Sequence, residues 1–304
     1  MKQHTLLREY FFEGKGLHTG RYAHMSVGPA PVDTGIRFLR EDIGEDAFVD
    51  ALAENVSGTA RSTTISRGRV TVKTIEHLLS ALTGLGVDNA LVRIDAPEVP
   101  ILDGSAGPYA EAIAADGTVE QDAERRWIEL KETVEITDKP SGAYIRISPW
   151  DEPVYESTID FNSHVLGVQT VRFDSTTDYA SQIAPCRTFC FAHELLKLSV
   201  LGLVKGGDVD NAIVVVEKPV SDWQRKRLCD LFHQPRMDDL KEGYLKKGEL
   251  RFSDECGRHK ILDLMGDLRL CGGFFKAKVE AFKPGHRVNT LTSKKIRKTI
   301  IENG

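Results

Sequence analysis

The segment Arg258-His259-Lys260-Ile261-Leu262-Asp263-Leu264-Met265-Gly266-Asp267-Leu268 sets an imidazole and two carboxylates at intervals of four. At helical spacing His259, Asp263 and Asp267 stack along one face. An imidazole nitrogen and a carboxylate oxygen one turn apart are zinc ligands that a single helix can supply. A solvated helix with plain His–Asp pairing fits the same residues. Yet Ile261, Leu262, Leu264 and Leu268 point elsewhere, into a core, which leaves the polar face needing a purpose. A third ligand must come from another segment, and Glu76-His77 is the natural source. Neighbouring helix side chains point about 100° apart, so both reach one site only near a helix start. His77 then completes the ligand set, and Glu76 is a carboxylate beside the metal's water. This differs from H-E-x-x-H, in which both histidines share a helix. Surface decoration is the plain alternative for a Glu-His pair. His286, in Phe282-Lys283-Pro284-Gly285-His286, could pair with Asp267 and act as a general acid near neutrality, or be a turn histidine in water. His4, His24, His164, His193 and His233 have no comparable context.

These residues need elements to carry them. Ile75–Thr83 reads as an amphipathic helix with Leu78, Leu79 and Leu82 at helical spacing, and Gly84 and Gly86 as stop signals. A strand over 69–72 precedes it and one over 87–94 follows. Pro97, Pro100 and Gly104 mark a loop, and 108–115 a further short helix. Glu13-Gly14-Lys15-Gly16-Leu17-His18-Thr19-Gly20 reads as a tight turn between strands. The polar stretch 116–126 separates two halves and marks a domain boundary, with strands expected over 127–136, 143–148, 154–161 and 168–172. Two internal echoes compete as the register of a duplication. Val87-Asp88-Asn89-Ala90 recurs as Val209-Asp210-Asn211-Ala212. His77-Leu78-Leu79 with Leu82 and Gly84 is echoed by His259-Lys260-Ile261 with Leu264 and Gly266. The second is favoured, because it sets two histidines at equivalent points on two helices that could face each other.

Composition narrows the function. Of 304 residues, 40 are Lys or Arg and 45 Asp or Glu, a net charge of −5 with no dominant basic block, which argues against nucleic acid. With 41% hydrophobic and 28% charged residues the chain suits a packed core rather than disorder. Its length suggests two domains. No apolar run approaches the roughly 18 residues of a membrane span, and Glu9 comes too early for a secretory signal. The five cysteines are too few and irregular for a disulfide framework, and none forms C-x-x-C. A reduced, soluble, cytoplasmic protein is expected.

Taken together, Glu13–Gly20, Thr74–Ala81, Asp88-Asn89, Ala96–Gly107, Arg187-Thr188-Phe189, Arg258–Leu268 and Lys283–His286 resemble the UDP-3-O-acyl-N-acetylglucosamine deacetylases. These are zinc amidases of lipid A (lipopolysaccharide) synthesis in Gram-negative bacteria. The resemblance runs from about residue 5 to about 290. It implies an α+β fold of two similar domains, here 1–120 and 126–304. Each would be a two-layer sandwich of sheet and helices, with the active site at the interface. It implies one catalytic Zn2+ (Fe2+ being an alternative in the cell) held by His77, His259 and Asp263. Glu76 corresponds to the general base, Thr188 to an oxyanion donor, and His286, oriented by Asp267, to the acid that protonates the leaving amine. Lys260 and Lys283 match positions near the diphosphate, Phe161 the aromatic stacked on uracil, and Phe189 a further substrate contact. The acyl groove would be a βαβ insert over about 189–216, with Leu195, Leu196, Leu198, Val200, Leu201 and Leu203 supplying apolar surface or core. Cys190 stands where relatives often carry Gly. Residues 219–248 form a long connection with no assigned role. Some relatives continue into a fused hydroxyacyl-carrier-protein dehydratase, and this chain could be the deacetylase part of such a fusion. The competing readings are a zinc amidohydrolase with another N-acyl substrate and a non-catalytic sugar-nucleotide or lipid-binding module.

Overall fold

A computed structural model of the chain describes residues 1–200, 204–208, 210–232, 242–245 and 250–303. Alternation of side chains builds its sheets. Along Tyr22–Pro29, Ala23, Met25 and Val27 are buried while Tyr22 and His24 face water. Along Ala143–Pro149, Ala143, Ile145 and Ile147 turn inward and Arg146 outward. Two five-stranded sheets result. The first runs in the order Tyr10–Lys15, Tyr22–Pro29, Ala90–Ile94, Ile36–Arg40, Phe48–Asp50. The second runs Val134–Asp138, Ala143–Pro149, Ala277–Phe282, Val154–Asp160, Val168–Phe173. In each, the central strand is antiparallel to the second in the order and parallel to the fourth. In each, it is also the strand the chain reaches last, after a helix.

The helices are α1 (Glu76–Gly84), α2 (Gly107–Ala114), α3 (Tyr179–Gln182), α4 (Ala192–Val200), α5 (Asp222–Leu231), α6 (Glu255–Leu268) and α7 (His286–Asn303). Each sheet's central strand follows one helix of the pair α1 and α6, so the His77/His259 echo tracks the shared topology. The other echo does not: 90–94 is a central strand, whereas 213–216 belongs to a separate small sheet. Among the described residues, α6 and α7 cover the second sheet, and α1 packs against α6. Leu78, Leu79 and Leu82 of α1 share one continuous core with Ile261, Leu264 and Leu268 of α6. Gly266 lets the two helices touch, because a Cβ there would drive into the backbone carbonyl of Glu76.

Three local expectations need correction. The polar stretch after 116 is not a bare connector: Thr118–Glu124 is a strand paired antiparallel with Lys2–Leu6. A two-stranded ribbon is held by backbone bonds and needs few apolar side chains, so hydrophobic pattern misses it. The single strand expected over 127–136 is two, Trp127–Ile128 and Val134–Asp138. The first leaves the main sheet to pair in parallel with Phe274–Phe275. Residues 219–248 are not one open connection either, since Ser221 and Gln224 form a reciprocal cap that starts α5.

The insert is a parallel Phe189–Phe191 and Ile213–Val216 pair joined through α4, with Gly243–Tyr244 at its edge. Its own small core includes Leu195, Leu198, Val204, Val216, Leu228 and Phe232. Leu201 and Leu203 lie outside the described residues, as do the side chains of Leu196 and Val200. Among the described residues, no helix is long and apolar enough to cross a membrane.

Candidate functional site

Thr63 and Thr74 set the start of α1. Thr74 takes a left-handed backbone (φ 58°), and its N–H donates to the Thr63 carbonyl at 3.0 Å. Glu76 and His77 therefore occupy the first turn, where adjacent side chains can share a site. Both are buried, as are His259, Asp263 and Asp267 on one face of α6. Because α1 and α6 touch at Gly266, the two polar faces meet. His77 Nε2 lies 3.8 Å and His259 Nε2 3.3 Å from Asp263 Oδ1. One ligand atom from each of the three residues falls within 4.8 Å of the others.

The chemistry of this trio fits a cation. The Cys186 carbonyl, 3.1 Å from His259 Nδ1, can only accept, so Nδ1 carries the proton and Nε2 keeps its lone pair. That lone pair faces Asp263 Oδ1, a buried oxygen with no hydrogen-bond partner among the described residues. Acceptors facing across 3.3 Å with no proton between them repel unless a positive ion joins them. Burial, reinforced by His259, pushes the His77 imidazole down to about 3, so it is neutral and ready to ligate. Burial lowers His259 as well. For Asp263 burial acts upward, but His259, Lys260, His286 and His77 outweigh it and hold the carboxyl far below the usual range. Two neutral imidazoles and one carboxylate are a typical set for zinc with an open position.

Glu76 stands beside this trio. Its Oε2 accepts the Thr63 N–H at 3.0 Å, and its Oε1 lies 3.8 Å from His286 Nε2. Burial raises its pKa to about 8; His286 opposes this, while Asp267 and Asp263 add to it. His286, the first residue of α7, sits with Nδ1 3.0 Å from Asp267 Oδ2. Burial would lower the imidazole, but Asp267, Glu76 and Asp263 prevail and lift it to about 9. It is thus a cation held by carboxylates. The structure brings Glu76, His77, His259, Asp263, Asp267 and His286 together.

Thr188 is placed by backbone bonds at both ends: its N–H donates to Gly104 at 2.8 Å, and its carbonyl accepts from Ile213. Buried Glu255 braces the same turn through the Arg187 backbone and guanidinium. Thr188 lines a cavity of about 60 Å3 together with Leu17, His18, Phe189, Leu195 and Leu198. Phe189 stands edge-on to the His259 ring with centroids 6.3 Å apart, and Phe161, 43% exposed, packs edge-on against Phe189. The two lysines are engaged within the chain. Lys260 Nζ donates to Asp263 Oδ2 at 2.6 Å, and Lys283 lies 3.3 Å from Asp160. An anion would draw each from a carboxylate that already holds it.

Sequence reasoning missed Thr63, Glu255 and the Cys186 carbonyl. None has a readable signal: Cys186 acts through its carbonyl, Thr63 through its N–H and a hydroxyl that any threonine carries, and Glu255 is one acid among many. His18 was read only as part of a turn. It is buried, and both ring nitrogens lack a hydrogen-bond partner among the described residues.

Residues 3–234 and 237–298 match the family model described as LpxC: UDP-3-O-acyl N-acetylglycosamine deacetylase. The chain belongs to the LpxC family. A bifunctional enzyme LpxC/FabZ from Porphyromonas gingivalis is 40% identical over 302 residues, 99% of this chain and 65% of that relative. Its counterpart from Bacteroides thetaiotaomicron is 37% identical, again over 65% of its length. The chain thus spans about 65% of these bifunctional relatives. A UDP-3-O-acyl-N-acetylglucosamine deacetylase from Saccharophagus degradans is 40% identical over 294 residues, 95% of this chain and 88% of the relative. LpxC membership accords with the α+β fold described above.

Proposed function

We propose that this chain hydrolyses the N-acetyl group of a UDP-3-O-acyl-N-acetylglucosamine, releasing acetate and the free amine, as the committed step of lipid A synthesis. The observation that carries the reading is the convergence of Glu76 and His286 on the trio His77, His259 and Asp263. The domains are 1–120, which brings Glu76 and His77, and 126–304, which brings the rest. A Zn2+ or Fe2+ ion held by the trio would supply Lewis-acid polarisation of the amide carbonyl and a water pKa lowered to roughly 7.

The chain's own residues do the remaining work. Glu76 takes a proton from the attacking water as its oxygen bonds to the acetyl carbon. The Thr188 hydroxyl donates to the oxygen that becomes negative, and cationic His286 adds to that stabilisation. The C–N bond then breaks, and the proton from His286 goes to the leaving nitrogen. Asp267 keeps that imidazole charged and aimed. Substrate binding falls to Phe161 and Phe189 at the base and sugar, to Lys260 and Lys283 at the diphosphate, and to the cavity beside Thr188 for the start of the acyl chain. In binding diphosphate, each lysine exchanges a carboxylate for a phosphate. A cytoplasmic place of work goes with this reading.

The test is acetate release from UDP-3-O-acyl-N-acetylglucosamine before and after chelation. Turnover should stop with the chelator and return with added Zn2+. A rate that chelation leaves unchanged would defeat the metal mechanism. A folded, zinc-loaded sample that releases no acetate would defeat the substrate assignment.

A further inference from the structure

One fully buried side chain outside the six residues above touches both halves of the proton-transfer machinery. Thr63 precedes the strand Thr64–Arg67, with no exposed surface. Its carbonyl accepts the Thr74 N–H, which ties it to the start of α1. Its two donors go to two carboxylates on two helices. The N–H reaches Glu76 Oε2 at 3.0 Å, and the hydroxyl reaches Asp267 Oδ1 at 2.5 Å. Asp267 Oδ2 meanwhile receives Asn289 Nδ2 at 2.9 Å and faces His286 Nδ1 at 3.0 Å.

We propose that Thr63 is a positioning residue for the reaction, whose hydroxyl fixes the Asp267 carboxylate and through it the aim of His286. The proposal rests on the deacetylase reading above. An ionised carboxylate accepts only, and both its oxygens seek donors. With three donors on two oxygens, Asp267 has a single orientation. Without the Thr63 hydroxyl, Oδ1 becomes a buried anionic oxygen with no donor. Relief then comes only by turning Oδ1 toward the donors now on Oδ2, which swings the imidazole with it. Meanwhile the Thr63 N–H continues to hold Glu76 Oε2, so the hydroxyl's part can be removed separately.

Thr63→Val keeps the shape and the backbone N–H and deletes only the hydroxyl. Misplaced acid catalysis of this kind costs roughly 10- to 100-fold in kcat. KM should stay within about twofold, because no substrate contact is lost. Zinc content per chain should be unchanged, since Thr63 is not a ligand. Thr63→Ser restores the donor and should return kcat to within about threefold of wild type. The decisive arm is a cycle with Asp267→Asn: once Asp267 is altered, Thr63→Val should cost little more. Wild-type kcat in zinc-loaded Thr63→Val overturns the proposal, as does failure of Thr63→Ser to rescue, or a fully additive cycle. If Thr63→Val does not fold, Thr63→Cys, a weaker donor, takes its place. An intermediate kcat is then expected, and an unchanged one overturns the idea. A wild-type protein that releases no acetate is a different failure, that of the deacetylase reading itself.

Discussion

At the scale of single residues, the proposed proton transfer would fall to Glu76 and His286, which lie 3.8 Å apart, the first buried and the second mostly so. Burial raises Glu76 to about 8, so it is a stronger base but one available only where it is ionised, and Asp267 leads the carboxylates that raise His286 to about 9. The acid must be protonated to give its proton, so activity should fall as pH rises through about 9. Asp267→Asn removes the largest upward influence. The descending limb of kcat/KM should then move to lower pH, toward the ordinary imidazole range near 6.5. A pH–rate profile of zinc-loaded Asp267→Asn checks this, and an unmoved limb would show that another group sets it.

At the scale of elements, the site depends on how closely α1 and α6 approach. His77 and Glu76 ride on one helix, and His259, Asp263 and Asp267 on the other. Gly266 is the contact, because any side chain there meets the Glu76 carbonyl. Gly266→Ala should therefore cost about 1–3 kcal/mol of stability, the usual range for overpacking. By spreading the helices it should also weaken zinc affinity. Thermal melting and a competitive zinc titration measure the two effects, which should appear together. Normal affinity in a destabilised variant would mean that the helices part away from the ligands. These helices were legible in sequence because Leu78, Leu79 and Leu82, and Ile261, Leu264 and Leu268, repeat at the helical period. The Thr118–Glu124 strand was not, because its only large apolar residue is Val119 and its pairing rests on backbone bonds and polar side chains, such as Lys2 with Asp122, that leave no hydrophobic period.

At the scale of the whole molecule, the first half supplies His77 and the second His259 and Asp263, so a metal ion held by the three would tie the halves together. Other bonds cross as well. Arg269 Nη2 donates to the carbonyls of Val87 and Asp88 at 3.1 and 2.9 Å, and Arg61 pairs with Glu194 of the insert at 2.9 Å. Zinc bound only by the folded state should add about 2.7 kcal/mol when free metal is 100 times Kd. Calorimetry with and without zinc should show the melting transition rising with metal concentration. His77→Ala should remove most of that rise although two ligands remain on α6. A full rise in that variant would mean that the metal binds elsewhere.

What the sequence determined on its own was local and periodic. Spacing of four put His259, Asp263 and Asp267 on one face, adjacency put Glu76 beside His77, and several motifs in order carried the family. It could also propose, from a faint echo, that the two histidine helices are counterparts. Only the tertiary structure decided which partners each group meets. It brought Cys186 to His259, Asp160 to Lys283, and Thr63 to both Glu76 and Asp267. Those contacts join residues up to 204 apart in the chain. Several run through backbone atoms, which every residue type shares. Side-chain identity records periodicity and chemistry, whereas a hydrogen bond across such separations depends on how helices and sheets pack.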